Sequence, residues 1–262
     1  MDDPGGTLQL AVHDHCAWLT IANPGKRNAM TAAMWRRLPE LLDEVRADER
    51  ARAVVLTGSG GSFSAGADIG ELSAIGADSS GEDGREEFAV AAEQALISFP
   101  RPTIAAIDGY CVGGGCQLAA ACDIRISGEA ATFGITPAKL GIVYPETSLQ
   151  RLTHLVGPGA AKLLLFSGDL VDAAHALRIG LVDETAPDPV ARAEQLARTI
   201  AQRSQLSVAA AGEIIDRAAQ GLPVAERARY WRAQSARYGE GAEGISAFLQ
   251  RRSPEFPWKP PA

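Results

Sequence analysis

The pattern of apolar and polar positions separates strands from helices along this chain. Short runs of apolar, partly β-branched residues at positions 8–12, 16–21, 52–57 and 103–107 predict buried strands. Between residues 32 and 45 apolar side chains recur every three or four positions, which predicts a helix capped by Thr31. From residue 189 onward the pattern is helical. The fold class is therefore α/β, with a helical C-terminal region.

Two predicted turns from strand to helix are rich in glycine. One follows the strand at 52–57 and runs through residues 58–69, and the other follows the strand at 103–107 and contains residues 113–115. Glycine lets the backbone approach a ligand, and the first turn of a helix offers unpaired N–H groups that attract negative charge. A thioester oxygen gains charge in an enolate or tetrahedral intermediate, and two converging N–H donors stabilise it. We predict that Ala67 and Gly114 supply these donors.

These two segments resemble the crotonase family, also called the enoyl-CoA hydratase/isomerase family. The resemblance is carried by Phe63-Ser-Ala-Gly-Ala-Asp-Ile69 and by Gly109-Tyr-Cys-Val-Gly-Gly-Gly-Cys-Gln-Leu-Ala119, and it extends over nearly the whole chain. It implies a spiral of repeated ββα units at 1–190 that carries the acyl-thioester site. It also implies a helical region at 191–262 that forms a homotrimer or a dimer of trimers.

The resemblance further implies an acyl-CoA substrate, with coenzyme A as part of the substrate and no separate cofactor. Two adjacent cations in the loop at 23–29 suit the CoA phosphates, and residues near the C-terminus complete a neighbouring subunit's site. The implied CoA contacts are Lys26, Arg27, Ala65, Asp68, Ile69, Phe248 and Arg251.

Two departures from the family pattern bear on the reaction. Hydratases of this family use two glutamates as acid and base, and the corresponding positions here are Gln117 and Pro137. Neither an amide nor a proline side chain transfers a proton near neutral pH. The sequence thus predicts a retained oxyanion hole without ordinary two-glutamate hydration.

Tyr144 is the first candidate to replace the missing acids. The segment from Thr136 to Tyr144 is similar to the methylmalonyl-CoA decarboxylase branch in its Thr-Pro, Leu-Gly and tyrosine spacing. Loss of CO2 from a malonyl-type thioester yields an enolate directly, so no base is required. With Gln117 in place of glutamate, a substrate carboxylate avoids a repulsion of roughly 4 kcal/mol at ~4 Å and an effective dielectric of ~20.

Two other functions are also consistent with these residues. Glu146 could act as the single base of an enoyl-CoA isomerase, although a carboxylate in the first turn of a helix after Pro145 is also favourable without a catalytic role. The chain could instead be a non-catalytic CoA-binding relative that kept the fold after losing its acids.

Composition narrows the choice of partners. The formal net charge of −7 disfavours a nucleic-acid or anionic-membrane partner, and the absence of a signal or anchor pattern predicts a cytoplasmic protein.

The four cysteines are expected to be reduced and buried, and His13 and His15 are interpreted as a solvated turn, so no metal is expected. The polar stretch at 76–84 predicts a mobile loop beside the acyl site.

Overall fold

Nine strands form two sheets in the described part of the chain. The computed structural model describes residues 5–70 and 85–259, so the predicted loop at 76–84 lies outside the described residues. The strands are β1 Thr7–His13, β2 Cys16–Ala22, β3 Ala53–Gly58, β4 Thr103–Ile107, β5 Tyr110–Val112, β6 Ile124–Gly128, β7 Thr132–Gly134, β8 Leu170–Asp172 and β9 Glu184–Ala186.

The larger sheet has the order β1-β2-β3-β4-β6-β9. Its first pair, β1 with β2, is antiparallel, and every later pair is parallel. The hairpin turns at Asp14 and His15, both with positive φ, as the sequence predicted. Strands β3 and β4 are buried almost throughout, which explains their continuous apolar runs because parallel strands are covered on both faces.

The smaller sheet, β5-β7-β8, lies beside the glycine-rich segment. The predicted turn from the strand at 103–107 directly into the following helix was incomplete. Three residues, Tyr110–Val112, pair with β7 before Gly113 turns with a φ of 55° into the helix. This insertion creates a strand–strand–helix unit, the repeat predicted for the fold.

Ten α-helices and a 3-10 helix at Pro24–Lys26 lie wholly within the described residues, and the helix predicted at 32–45 and the predicted helical C-terminal region are confirmed. Thr31 Oγ1 accepts the Met34 N–H at 3.3 Å, which confirms the predicted cap of the first helix. The helices are α1 Ala32–Ala47, α2 Arg85–Ile97, α3 Gly114–Ala121, α4 Pro137–Leu140, α5 Glu146–Ser167, α6 Ala173–Arg178, α7 Pro189–Ala201, α8 Gln205–Ala219, α9 Ala225–Tyr238 and α10 Glu240–Gln250.

The core lies between the larger sheet and the helices packed on it. All four cysteines are buried and unpaired, as expected. Helix α7 packs on β3, β4 and β6, with Ala193 and Ala197 fully buried, so the first C-terminal helix covers the sheet. The predicted division of the chain at residue 190, between the ββα core and the C-terminal helical region, stays a prediction. Within residues 5–70 and 85–259, no helix is both long and apolar enough to cross a membrane.

Candidate active site

Two isolated parallel bridges fix the loop that contains Ala67. Met30 donates its N–H to Gly66 O at 2.7 Å and accepts the Asp68 N–H at 2.9 Å. In a parallel pair the residue between two such bonds directs its own N–H away from that partner, so the Ala67 N–H points away from Met30. The second bridge, with a Val112 N–H to Ser64 O bond of 2.9 Å, holds the same loop against β5.

Gly66 and Gly114 let the two glycine-rich loops touch. A Cβ on Gly66, whose φ is 96°, would lie 3.0 Å from the Gly114 nitrogen. A Cβ on Gly114 would lie 3.5 Å from the Ala67 nitrogen and 2.9 Å from the Trp35 ring. Neither the Ala67 nor the Gly114 N–H donates to any described residue. The two predicted donors are therefore adjacent and available to a common acceptor.

A cavity of about 250 Å³ opens in front of these two amides. Seven of the residues proposed from sequence line it: Ala65, Ala67, Asp68, Ile69, Gly114, Gln117 and Tyr144. Met30, Trp35, Ala89, Ile142 and Val143 are among its other lining residues, so most of the surface is apolar. An apolar cleft with a few convergent polar groups is the usual form of a small-molecule site.

Tyr144 brings its hydroxyl to the glycine-rich turn. A Cβ on Gly113 would lie 3.6 Å from Tyr144 Oη. Burial, together with the nearby Cys116 and Glu93, raises the pKa of Tyr144 well above its ordinary value. The phenol is therefore neutral over the physiological range, and its O–H is available as a hydrogen-bond donor to a ligand in the cavity.

The two positions that carry glutamates in hydratases both line the cavity. Gln117 lies one helical turn after Gly114 and donates from Nε2 to Ser148 Oγ at 3.1 Å, and Pro137 opens α4. Among the described lining residues Asp68 is the single acid, and its Oδ2 lies 2.6 Å from Lys26 Nζ. The described lining therefore offers no unpaired carboxylate for the two-glutamate reaction.

Comparison with known proteins gives the family. The sequence profile described as "Enoyl-CoA hydratase/isomerase" matches residues 12–259. The chain belongs to the enoyl-CoA hydratase/isomerase family. The crotonase resemblance predicted from the two glycine-rich segments is thereby confirmed, and the chain is a member of an enzyme superfamily.

Individual relatives cover almost the whole chain. A Bacillus subtilis protein named "Probable enoyl-CoA hydratase" is 35% identical over 95% of this chain and 98% of its own. The Escherichia coli protein named 2,3-dehydroadipyl-CoA hydratase is 34% identical over 91% of this chain and 93% of its own. A crystal structure of an enoyl-CoA hydratase/isomerase family member superposes with a TM-score of 0.91 at 34% identity, covering 100% of both chains. The predicted crotonase-like fold is confirmed.

Glu146, the alternative base, is exposed in the first turn of α5 behind Pro145. It is not among the described residues that line the cavity. A carboxylate at this position is favoured by the positive end of the helix without any catalytic role. Its role as a base stays a prediction that this placement does not support.

The loop that carries Lys26 and Arg27 is held against the first glycine-rich turn. Buried Asn28 donates from Nδ2 to the carbonyls of Ser59 and Ser62, at 2.7 and 2.6 Å. The Arg27 guanidinium lies 4.4 Å from the centre of the Tyr110 ring. Neither cation lines the cavity, but the Lys26–Asp68 ion pair places one of them at its edge.

Phe248 and Arg251 do not line this cavity in the described chain. Phe248 lies in the last turn of α10 and is 81% exposed, and Arg251 follows that helix with a φ of 54°. Their predicted contribution concerns a neighbouring subunit and stays a prediction.

Some residues at the site have roles that depend on tertiary contacts and that were not predicted from the sequence. Trp35 lies in the helix predicted at 32–45 and was not singled out, yet its ring packs on Gly114 and lines the cavity. Ser148 and Glu93 are 55 positions apart and form a buried hydrogen bond behind Gln117. The sequence carries no local signal for either contact.

The turn at His13 and helix α7 together form the one group of potential metal ligands in the described chain, His13, Asp14 and Glu194. Arg198 Nη2 lies 2.9 Å from Asp14 Oδ2 and 2.7 Å from Glu194 Oε1. The arginine thus pairs with both carboxylates, and the group is explained as a surface ion-pair cluster.

Proposed function

We propose that this protein forms an enolate from an acyl-CoA thioester, and that loss of CO2 from a malonyl-type acyl group is the reaction that generates it. The observation that carries the proposal is the position of Tyr144, whose neutral hydroxyl reaches Gly113 in a cavity with Gln117 and Pro137 at the hydratase positions. The Tyr144 hydroxyl thus supplies a hydrogen-bond donor, while the two hydratase positions supply neither an acid nor a base.

The chemistry balances without a protein base. The bond between Cα and the carboxylate carbon breaks, and its electron pair forms the enolate double bond between Cα and C1. The thioester oxygen takes the negative charge, which the N–H groups of Ala67 and Gly114 stabilise. CO2 leaves, and a proton from solvent adds to Cα to give the saturated acyl-CoA. Tyr144 donates a hydrogen bond to the departing carboxylate and keeps it out of the thioester plane.

The mostly apolar lining supports this route. Removing water from around the substrate carboxylate weakens the solvation that holds its charge, and the charge leaves the carboxylate as CO2 forms. Ile142 and Val143, which are exposed at 44% and 83%, can cover the acyl group from the loop before Tyr144.

The remaining contacts are proposed to bind the CoA portion. Lys26 and Arg27 face the phosphates, Ala65, Asp68 and Ile69 contact the adenine and pantetheine, and Phe248 and Arg251 come from a neighbouring subunit of a trimer or hexamer. Coenzyme A enters as part of the substrate, and the proposal requires no further cofactor. A cytoplasmic location stays a prediction.

Hydration and isomerisation are the competing reactions. The relatives' names favour hydration, but Gln117 and Pro137 remove its usual acid and base. Isomerisation through Glu146 requires a carboxylate in the cavity, where the described lining holds only the Lys26-paired Asp68. The placement of Glu146 therefore favours decarboxylation over isomerisation.

A three-substrate assay separates these reactions and a non-catalytic CoA-binding role. Methylmalonyl-CoA, crotonyl-CoA and a 3-enoyl-CoA are given to the wild type, Tyr144→Phe and Glu146→Gln. We expect turnover of methylmalonyl-CoA by the wild type and Glu146→Gln, and a large loss in Tyr144→Phe. Fast hydration of crotonyl-CoA, or 3-enoyl isomerisation lost in Glu146→Gln alone, would contradict the proposal. Inactivity on all three with retained CoA binding would indicate a binding protein.

A further inference from the structure

A buried hydrogen-bond chain runs from the cavity wall to a carboxylate that the proposed reaction does not use. Gln117 Nε2 donates to Ser148 Oγ at 3.1 Å, and Ser148 Oγ donates to Glu93 Oε2 at 2.8 Å. Glu93 is 1% exposed and Ser148 is 7% exposed. The chain connects three helices, because Gln117 lies on α3, Ser148 on α5 and Glu93 on α2.

The charge of Glu93 fixes the direction of this chain. An ionised carboxylate only accepts hydrogen bonds, so the Ser148 O–H must point to Glu93. The Ser148 oxygen then accepts from Gln117, which commits the amide nitrogen to the buried side. Gln117 Oε1 has no hydrogen-bond partner among the described residues, and it is accessible and not buried. Because Gln117 lines the cavity, this oxygen is open to the cavity. With Glu93 ionised, the amide offers an acceptor to the ligand.

A proton on Glu93 allows every bond in the chain to reverse. A carboxylic acid O–H donates to Ser148 Oγ, and Ser148 then donates its own proton to Gln117 Oε1. The amide turns over, so that its NH2 group faces the cavity. In this arrangement Gln117 offers donors to the ligand. A substrate carboxylate, which only accepts, fits the second arrangement and opposes the first.

The surroundings of Glu93 make both arrangements accessible. Burial raises the pKa of Glu93 to about 7, while the Ser148 hydrogen bond and the charge of Arg151 act in the opposite direction. Two neighbouring groups interact with Glu93. Tyr144, in the segment before α5, is a neutral phenol, and Arg151, on α5, is a partly buried cation. Helix α1, which packs on α2, contributes apolar core residues such as Leu38 and Leu42.

We propose that Glu93 is a positioning residue that sets, through Ser148, which end of the Gln117 amide faces the acyl group. Binding of a carboxylate-bearing acyl-CoA is therefore coupled to uptake of one proton by Glu93, and a neutral acyl-CoA binds without this uptake. The inference rests on the proposed function only for the choice of a carboxylate ligand. It assigns a specificity role to two residues that do not touch the substrate.

The test compares two non-reacting thioethers, S-(2-carboxyethyl)-CoA and S-ethyl-CoA, by titration calorimetry. For the wild type we expect the dissociation constant of S-(2-carboxyethyl)-CoA to rise roughly 10- to 100-fold between about pH 6 and about pH 9, because only the form with a protonated Glu93 is competent. The value for S-ethyl-CoA stays flat. Titrations at about pH 8 in two buffers of different ionisation enthalpy show proton uptake for the carboxyethyl ligand alone.

Two variants separate positioning from general structure. Glu93→Gln carries no charge that forces Ser148 to donate, so both directions of the chain stay accessible and S-(2-carboxyethyl)-CoA binds without pH dependence. Ser148→Ala interrupts the chain and removes both the pH dependence and the proton uptake. A Glu93→Gln or Ser148→Ala variant with the wild-type pH profile would overturn the inference, as would equal pH dependence for both thioethers in the wild type.

The two proposals fail separately. Proton-linked binding of S-(2-carboxyethyl)-CoA without turnover of methylmalonyl-CoA supports the Glu93 inference and removes the decarboxylase proposal. Turnover of methylmalonyl-CoA with pH-independent binding of S-(2-carboxyethyl)-CoA does the reverse.

Discussion

The Tyr144 hydroxyl lies against Gly113, where a Cβ would be only 3.6 Å from Oη. This relationship joins the segment before α5 to the turn that begins α3. It places a neutral phenol in the same cavity as the N–H groups of Ala67 and Gly114, which donate to no described residue, so the carboxylate and the thioester oxygen of one acyl group each have a donor.

Tyr144→Phe should retain the fold and lose most of the activity on a malonyl-type thioester. Tyr144 orients the carboxylate out of the thioester plane through a hydrogen bond worth about 1.5–3 kcal/mol, so without it kcat/KM should fall roughly 10- to 100-fold. Steady-state kinetics on methylmalonyl-CoA measure the loss. The affinity for S-ethyl-CoA is the control and should not change. A Phe variant within about twofold of the wild type would remove Tyr144 from the mechanism.

Gly114→Pro removes one donor of the proposed oxyanion hole. Loss of one such N–H costs about 3–4 kcal/mol of transition-state stabilisation. Any Cβ at this position also meets the Trp35 ring at 2.9 Å, so Gly114→Ala is the matched control that keeps the N–H. We expect the Pro variant to be at least about 100-fold slower than the Ala variant. Equal rates for the two folded variants would show that the N–H is not used.

The stability of the protein should depend on pH through Glu93. Burial raises the pKa of Glu93 from its ordinary value of 4.5 to about 7, so the folded state keeps a proton that the unfolded state has released. The contribution of the Glu93 carboxyl group to the free energy of unfolding is fully present below about pH 4.5, and it is lost as the pH rises through about 7. Relative to Glu93→Gln, the wild type should lose ~2 kcal/mol of unfolding free energy between about pH 5.5 and about pH 8.

Urea denaturation of both proteins at these two pH values measures that difference. A constant gap between wild type and Glu93→Gln would mean that Glu93 is ionised in the folded protein throughout.

Helix α10 should form part of a subunit interface. Ile245, Phe248 and Leu249 are spaced along one face and are 65%, 81% and 75% exposed, an apolar stripe that isolated subunits would leave in water. Light scattering should give the mass of three or six chains. Phe248→Asp should weaken assembly, while Gln250→Asp, an exposed change in the same turn, should not. A wild-type monomer at micromolar concentration would contradict this prediction.

The strands and the two donor loops could be predicted because their signals are local. The β-branched runs at 52–57 and 103–107, the cap at Thr31 and the glycines at 113–115 each depend on neighbouring residues. The short strand Tyr110–Val112 could not be predicted, because its pairing partner β7 lies about twenty residues away and three residues carry too little pattern.

The polar groups behind the cavity were unpredictable for a related reason. Glu93 reads as one of several polar positions on a helix, and Ser148 as a small residue in the first turn of another. Their importance comes only from burial and from the hydrogen bond between them. Conversely, Glu146 had a plausible local signal, yet helix geometry leaves it exposed and outside the described lining of the cavity.

The central claim is that the enolate arises by loss of CO2, and an isotope measurement tests it most directly. Methylmalonyl-CoA is incubated with the wild type in deuterated water at about pH 6, where Glu93 holds its proton. The account predicts equal amounts of CO2 and propionyl-CoA, with one deuterium at Cα of the product, and crotonyl-CoA unchanged under the same conditions. Rapid hydration of crotonyl-CoA with no CO2 released from methylmalonyl-CoA would contradict it.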